Sequence, residues 1–215
     1  MGRGTPSSKV SPLSLRLGNR VLVMLMCTRT RPTEDILYTV NELTNTLTTH
    51  SLPPLPASAT LLNTTSTLQL QSGEALGDRA PAELLLAPAL NANMRRGRLR
   101  GSSSRRDSGN ASFLYATNRN DPSPEGDTLA IFSLENPSAP ALIQEVHTGL
   151  QHLRGAAIGG EDGRYIIIGG MLGGGVKMFE RIDGGRSVME IAALPDIDGP
   201  TGFQWLRQEN CTATS

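Results

Sequence analysis

One pattern occurs three times in this chain and constrains its fold more than any other feature. Ile36-Leu37-Tyr38-Thr39-Val40-Asn41-Glu42 is followed by Asn45-Thr46-Leu47-Thr48-Thr49. The pattern returns as Phe113-Leu114-Tyr115-Ala116-Thr117-Asn118-Arg119, followed by Asp127-Thr128-Leu129-Ala130-Ile131-Phe132. A glycine-rich version is Tyr165-Ile166-Ile167-Ile168-Gly169-Gly170, followed by Gly175-Val176-Lys177-Met178-Phe179. Each copy is a run of β-branched and aromatic residues, a polar or glycine break, and a second run that alternates as a half-buried strand does. A strand pair of this kind cannot bury its own apolar faces, so successive copies must stack. The fold class this predicts is all-β, a β-propeller built of stacked sheets.

Composition agrees. Aromatic residues make up 4% of the 215-residue chain, against 23 glycines and 14 prolines, a balance suited to short strands and many turns. Lys+Arg and Asp+Glu stand at 20 each, so no overall field pulls the chain toward nucleic acid or an acidic membrane surface. No stretch approaches the roughly 20 apolar residues of a membrane helix. The run Val21-Leu22-Val23-Met24-Leu25-Met26 is too short for a secretory signal, so the three sequons at Asn63, Asn110 and Asn210 carry little weight. Cys27 and Cys211 have neither disulfide-framework nor metal-ligand spacing. The expectation is a cytoplasmic protein with no bound metal.

Along the chain, residues 1–35 are expected to be poorly ordered or foreign to the repeat, apart from the strand-like run at 21–26. The repeat region is expected over 36–207, with low-complexity insertions near 51–80 and 91–111, and a tail at 208–215. Ser51-Leu52-Pro53-Pro54 marks an exit from the sheet, because proline removes a ladder donor. The Ser/Thr/Asn/Leu stretch after it reads either as a loop or as one weak strand. Ala82-Glu83-Leu84-Leu85-Leu86-Ala87 reads as a buried strand ended by Pro88, with a helical turn as the alternative. The arginines of 94–106 fit either a solvated insertion or a phosphate contact, and the absence of interleaved aromatics favours the insertion. From Phe113 onward the chain reads as two successive four-stranded units, with Glu161-Asp162-Gly163 turning one strand into the next. About three units are therefore expected in all.

The segments Tyr38-Thr39-Val40-Asn41-Glu42-Leu43, Phe113 to Arg119, Asp127 to Phe132 and His152-Leu153-Arg154-Gly155 resemble, in order, those of a known family. It is the seven-bladed propeller family that includes 6-phosphogluconolactonases and fungal carboxy-cis,cis-muconate cyclases. The resemblance spans about residues 36–206. It implies a site at the mouth of the propeller channel that needs neither metal nor organic cofactor. The partner it implies is a small anionic lactone or dicarboxylate, opened by hydrolysis or formed by cyclisation. Glu42 matches a catalytic carboxylate and Arg119 a substrate-binding arginine, with Arg154 as a further catalytic candidate. A glutamate can shuttle the proton of lactone opening. An arginine offers a planar fork to a carboxylate, phosphate or oxyanion.

Other readings of the same residues stay open. Glu42 could be a solvated turn residue, Arg119 could pair with a nearby loop carboxylate such as Asp121 or Glu125, and Arg154 could brace its blade. His147 and His152 have no Ser or Asp pattern around them that would suggest a hydrolytic triad. The sequence also departs from the family. The arginine that the family carries before Asn-Glu-Leu falls near Met26 here, and the family's histidine-bearing earlier blade has no counterpart. The reading is a C-terminal part of a propeller, in which catalysis is doubtful and a non-catalytic interaction protein is the alternative.

Overall fold

A computed structural model describes residues 21–26, 35–70, 77–88, 90, 112–160 and 163–206. Its strands form three antiparallel sheets of four. The first holds β1 (Val21–Met26), β2 (Asp35–Asn41), β3 (Thr46–Leu52) and β4 (Thr60–Ser66). The second holds β5 (Ala80–Pro88), β6 (Ser112–Arg119), β7 (Thr128–Ser133) and β8 (Ala141–His147). The third holds β9 (Gln151–Gly159), β10 (Tyr165–Gly173), β11 (Gly175–Ile182) and β12 (Ser187–Leu194). In each sheet the strands lie in chain order. The first strands, β1, β5 and β9, pack edge to edge along one side, as the inner strands of propeller blades do. Among the described residues no pairing joins the three sheets into a closed ring.

The repeats read from the sequence are the central strand pairs: β2–β3, β6–β7 and β10–β11. Their registers coincide. Asn41 pairs with Thr46, Asn118 with Thr128 and Gly170 with Gly175, so these positions are equivalent in the three blades. The strand-like run Val21–Met26 pairs with β2, and Thr60–Ser66, in the stretch read as a loop or one weak strand, pairs with β3 as a fourth strand. The register of β1 sets Val21, not Met26, opposite Asn41; Met26 pairs with Ile36 at the other end of β2. The Arg-rich segment 94–106, both cysteines and the Glu161-Asp162 turn lie outside the described residues.

The middle blade explains why the sheets stack. Its alternation sends Phe113, Tyr115, Leu129 and Ile131 toward the third blade, where they meet Leu153, Ile166, Ile168 and Phe179. The intervening Leu114, Ala116, Ala130 and Phe132 face the first blade and meet Tyr38, Val40 and Leu47. Strand β7 is consequently buried along its whole length. Full burial of each large side chain is worth about 1.5–3 kcal/mol, enough to make the blades interdependent.

A tyrosine hydroxyl also crosses each blade junction. Tyr38 donates to the Pro137 carbonyl at 2.8 Å and Tyr115 to the Gly185 carbonyl at 2.6 Å. Both acceptors lie in the connection between the third and fourth strands of the following blade, and both tyrosines are fully buried. Burial pushes the Tyr38 phenol up to about 12. It raises Tyr115 as well, against the opposing charge of Arg181, whose Nε donates to the Tyr115 oxygen at 2.7 Å. Tyr115→Phe removes one donor and one acceptor from this buried network. We expect a loss of about 1–3 kcal/mol, measured by urea unfolding, with the apolar packing kept.

The segment after β12 lies across the third blade where glycines make room. A Cβ at Gly155 would stand 2.7 Å from the carbonyl carbon of Thr201, and one at Gly169 would stand 2.9 Å from Pro200. This segment carries Phe203 and Trp205.

Candidate active site

Antiparallel order decides which residues share one end of the sheets. The start of a first strand, the end of a second and the start of a third always meet there. The β2–β3 turn, the β6–β7 loop and the head of β9 therefore lie at one common end. Glu42 follows β2, Arg119 is the last residue of β6, and His152 and Arg154 open β9.

Glu42 and Arg119 occupy the same step in successive blades, one position beyond Asn41 and Asn118. The rotation between blades brings them into contact: Arg119 Nη2 donates to Glu42 Oε1 across 77 residues of chain. The arginine side chain is 8% exposed and the glutamate 20%. Neither loop carboxylate considered from the sequence takes Arg119. Asp121 instead pairs with Arg79 at 3.0 Å, and Glu125 lies 3.5 Å from His147. The Nε of Arg119 is buried without a hydrogen-bond partner.

Arg154 joins the same end through His152. Its Nε donates to His152 Nε2 at 3.2 Å, while His152 Nδ1 lies 2.8 Å from Asn120 Oδ1. Asn120 directly follows Arg119. Burial, then the charges of Arg154 and Arg119, hold the His152 imidazole below its usual range, partly opposed by Asp127. Asp127 itself is a brace, 2% exposed, accepting the Asp121 N–H at 2.8 Å and the Leu153 N–H at 3.0 Å. It ties the β6–β7 loop to β9 and so fixes both halves of the site. His147 is engaged with the Gly126 carbonyl at 2.9 Å, away from this cluster.

Glu83 stands apart from the residues singled out in the sequence. It lies on the inner strand β5 at a bulge, between the Pro81–Asn118 and Leu84–Ala116 pairs, and its N–H donates to Thr117 Oγ1. Burial pushes its carboxyl up. A single acid inside Ala82-Glu83-Leu84-Leu85-Leu86 was the available signal. Among the described residues, no three His, Cys, Asp or Glu side chains are grouped to hold a metal ion.

Sequence comparison decides the family. The family described as Lactonase, 7-bladed beta-propeller matches residues 28–205. The chain belongs to this seven-bladed β-propeller lactonase family. No curated protein matches it. Solved structures with the same fold include a protein provisionally described as a 6-phosphogluconolactonase from Bacteroides fragilis, 17% identical with a TM-score of 0.55 over 80% of this chain. Another, from Lactobacillus plantarum, is 14% identical with a TM-score of 0.57 over 78% of this chain. A third, provisionally described as a 6-phosphogluconolactonase from Bacteroides uniformis, is 17% identical with a TM-score of 0.53 over 77%. This lactonase-family chain spans 39%, 40% and 38% of those three proteins. At such identities the likeness concerns the fold.

Proposed function

We propose that the end of the sheets carrying Glu42, Arg119, His152 and Arg154 binds an anionic lactone and opens it by hydrolysis. The observation that carries this reading is the interblade Glu42–Arg119 pair, a carboxylate and a guanidinium brought together at one end of the sheets. In this reading the Glu42 carboxylate takes a proton from water as its oxygen adds to the lactone carbonyl carbon. Arg119 faces the oxyanion that develops there, in surroundings where a fixed cation acts more strongly than in water. Collapse of the tetrahedral intermediate breaks the ring C–O bond, and the proton on Glu42 passes to the departing alkoxide. Lactone and water thus give a hydroxy acid, with the glutamate regenerated. Arg154 supplies a second cation suited to a remote carboxylate or phosphate.

The family resemblance makes 6-phosphogluconolactone the first substrate to test. Ring opening is followed as acid release, with the spontaneous rate subtracted. Acceleration by the wild-type chain, lost in Arg119→Gln by about 10²–10³, is the expected result. No acceleration above the spontaneous rate would remove the hydrolytic reading. Turnover of carboxy-cis,cis-muconate in place of the lactone would assign the same residues to cyclisation.

A further inference from the structure

His152 and Asn120 are both held in the left-handed backbone region, at φ 56° and 62°. Few residues other than glycine enter this region, asparagine and histidine among those that do so most, and such positions gather at functional sites. The hydrogen bonds show what this backbone arranges. Asn120 Nδ2 donates to the Asp78 carbonyl at 3.1 Å, which turns its Oδ1 toward His152. An amide oxygen only accepts, so His152 Nδ1 carries the proton. An arginine Nε–H only donates, so Nε2 holds the lone pair that receives Arg154. The ring is fixed as one neutral tautomer, its free nitrogen occupied by a neighbouring cation.

Charged groups face this ring from three elements: Arg154 from β9, Arg119 from the end of β6, and Asp127 from ahead of β7. Burial, then the Arg154 and Arg119 charges, disfavour the protonated ring, with Asp127 opposing them and Arg119 itself paired with Glu42. An oxyanion arriving at Arg154 offsets that cation's charge beside the ring.

We propose that His152 and Arg154 form a proton-coupled anion subsite: a carboxylate, phosphate or sulfate that engages Arg154 draws its Nε–H away from the imidazole, and Nε2 then takes a proton from solvent. The anion is held by two cations where one stood before. This inference deepens the anionic-ligand reading above and rests on it. Linkage makes the coupling reciprocal, so the factor by which the anion tightens proton binding is the factor by which protonation tightens anion binding.

Sulfate is the probe, because its charge stays constant across the range in which imidazole titrates, whereas a phosphate ester gains a proton near pH 6. Imidazole resonances are followed by proton–nitrogen correlation spectra, with and without sulfate, at ionic strength matched by sodium chloride. The His152→Asn variant assigns the signal and retains a residue that tolerates the left-handed conformation. Sulfate is expected to move the His152 midpoint upward by about one pH unit, and sulfate affinity to fall about tenfold between pH 5.5 and 7.5. In His152→Asn the affinity should no longer depend on pH. A midpoint unmoved by saturating sulfate, no sulfate binding at either pH, or unchanged pH dependence in the variant would each overturn the proposal. If that variant fails to fold, His50→Gln and His147→Gln assign the remaining imidazole signal to His152 by elimination, and the sulfate shift is then read on the wild-type spectra. Lactone turnover without sulfate-linked protonation removes this inference only, and sulfate-linked protonation without turnover removes only the hydrolytic reading.

Discussion

Glu42→Gln is expected to slow lactone opening by about 10²–10⁴ while leaving the fold in place. The substitution preserves shape and keeps an acceptor oxygen for Arg119, but an amide cannot take a proton from water. A stability cost accompanies it. The Arg119 side chain is 8% exposed, and its ionic partner becomes a neutral dipole. We expect about 1–3 kcal/mol, below the cost of about 3–5 kcal/mol that follows when a fully buried pair loses a member outright. Corrected ring-opening rates and thermal melting separate the two effects. A variant that turns over within twofold of wild type would show that Glu42 only holds Arg119 in place.

Asp127→Ala should have the largest effect on stability. Asp127 accepts two backbone N–H groups, from Asp121 in its own blade and Leu153 in the next. Removing the carboxylate strands the buried Leu153 donor and the half-buried Asp121 donor. Each unsatisfied buried donor costs about 1–3 kcal/mol, and bonds to a charged acceptor lie at the upper end. The expected total is about 3–5 kcal/mol, a large share of the roughly 5–15 kcal/mol that holds a typical domain together. Hydrogen exchange localises the loss: the Leu153 amide should lose protection before the amides of β7 do. Asp127→Asn retains one acceptor oxygen and should lose less. Equal protection of Leu153 in the alanine variant and wild type would refute the bracing role.

The same contrast explains what could be read from sequence. The central hairpins were legible because burial on both faces imprints β-branched and aromatic residues on β2, β6 and β10. Strand β4 left no such imprint. Its sequence TLLNTTS is largely exposed, and backbone pairing with β3 holds it in place. Glu42 and Arg119 were recognisable one by one, but their contact depends on how two blades rotate past each other. Sequence proximity pointed Arg119 toward Asp121 and Glu125, yet the loop gives Asp121 to Arg79. Neither the left-handed backbone of His152 nor its bond to Asn120 has a signature in residue order. Nothing in Asn120-Asp121-Pro122 announces that its amide will select the tautomer of a ring 32 residues away.

The tyrosine bridges give the stack a polarity. Tyr38 reaches forward from the first blade to the second and Tyr115 from the second to the third, and the equivalent position in the third blade is Ile167. Each bond therefore places a blade under the guard of its successor. Peeling away the third blade uncovers a buried hydroxyl in the second, whereas peeling away the first only leaves the Pro137 carbonyl of the second without its phenol donor. Disassembly started from the two ends should follow different routes, and the order in which blades come apart is written into which of them carries the phenol.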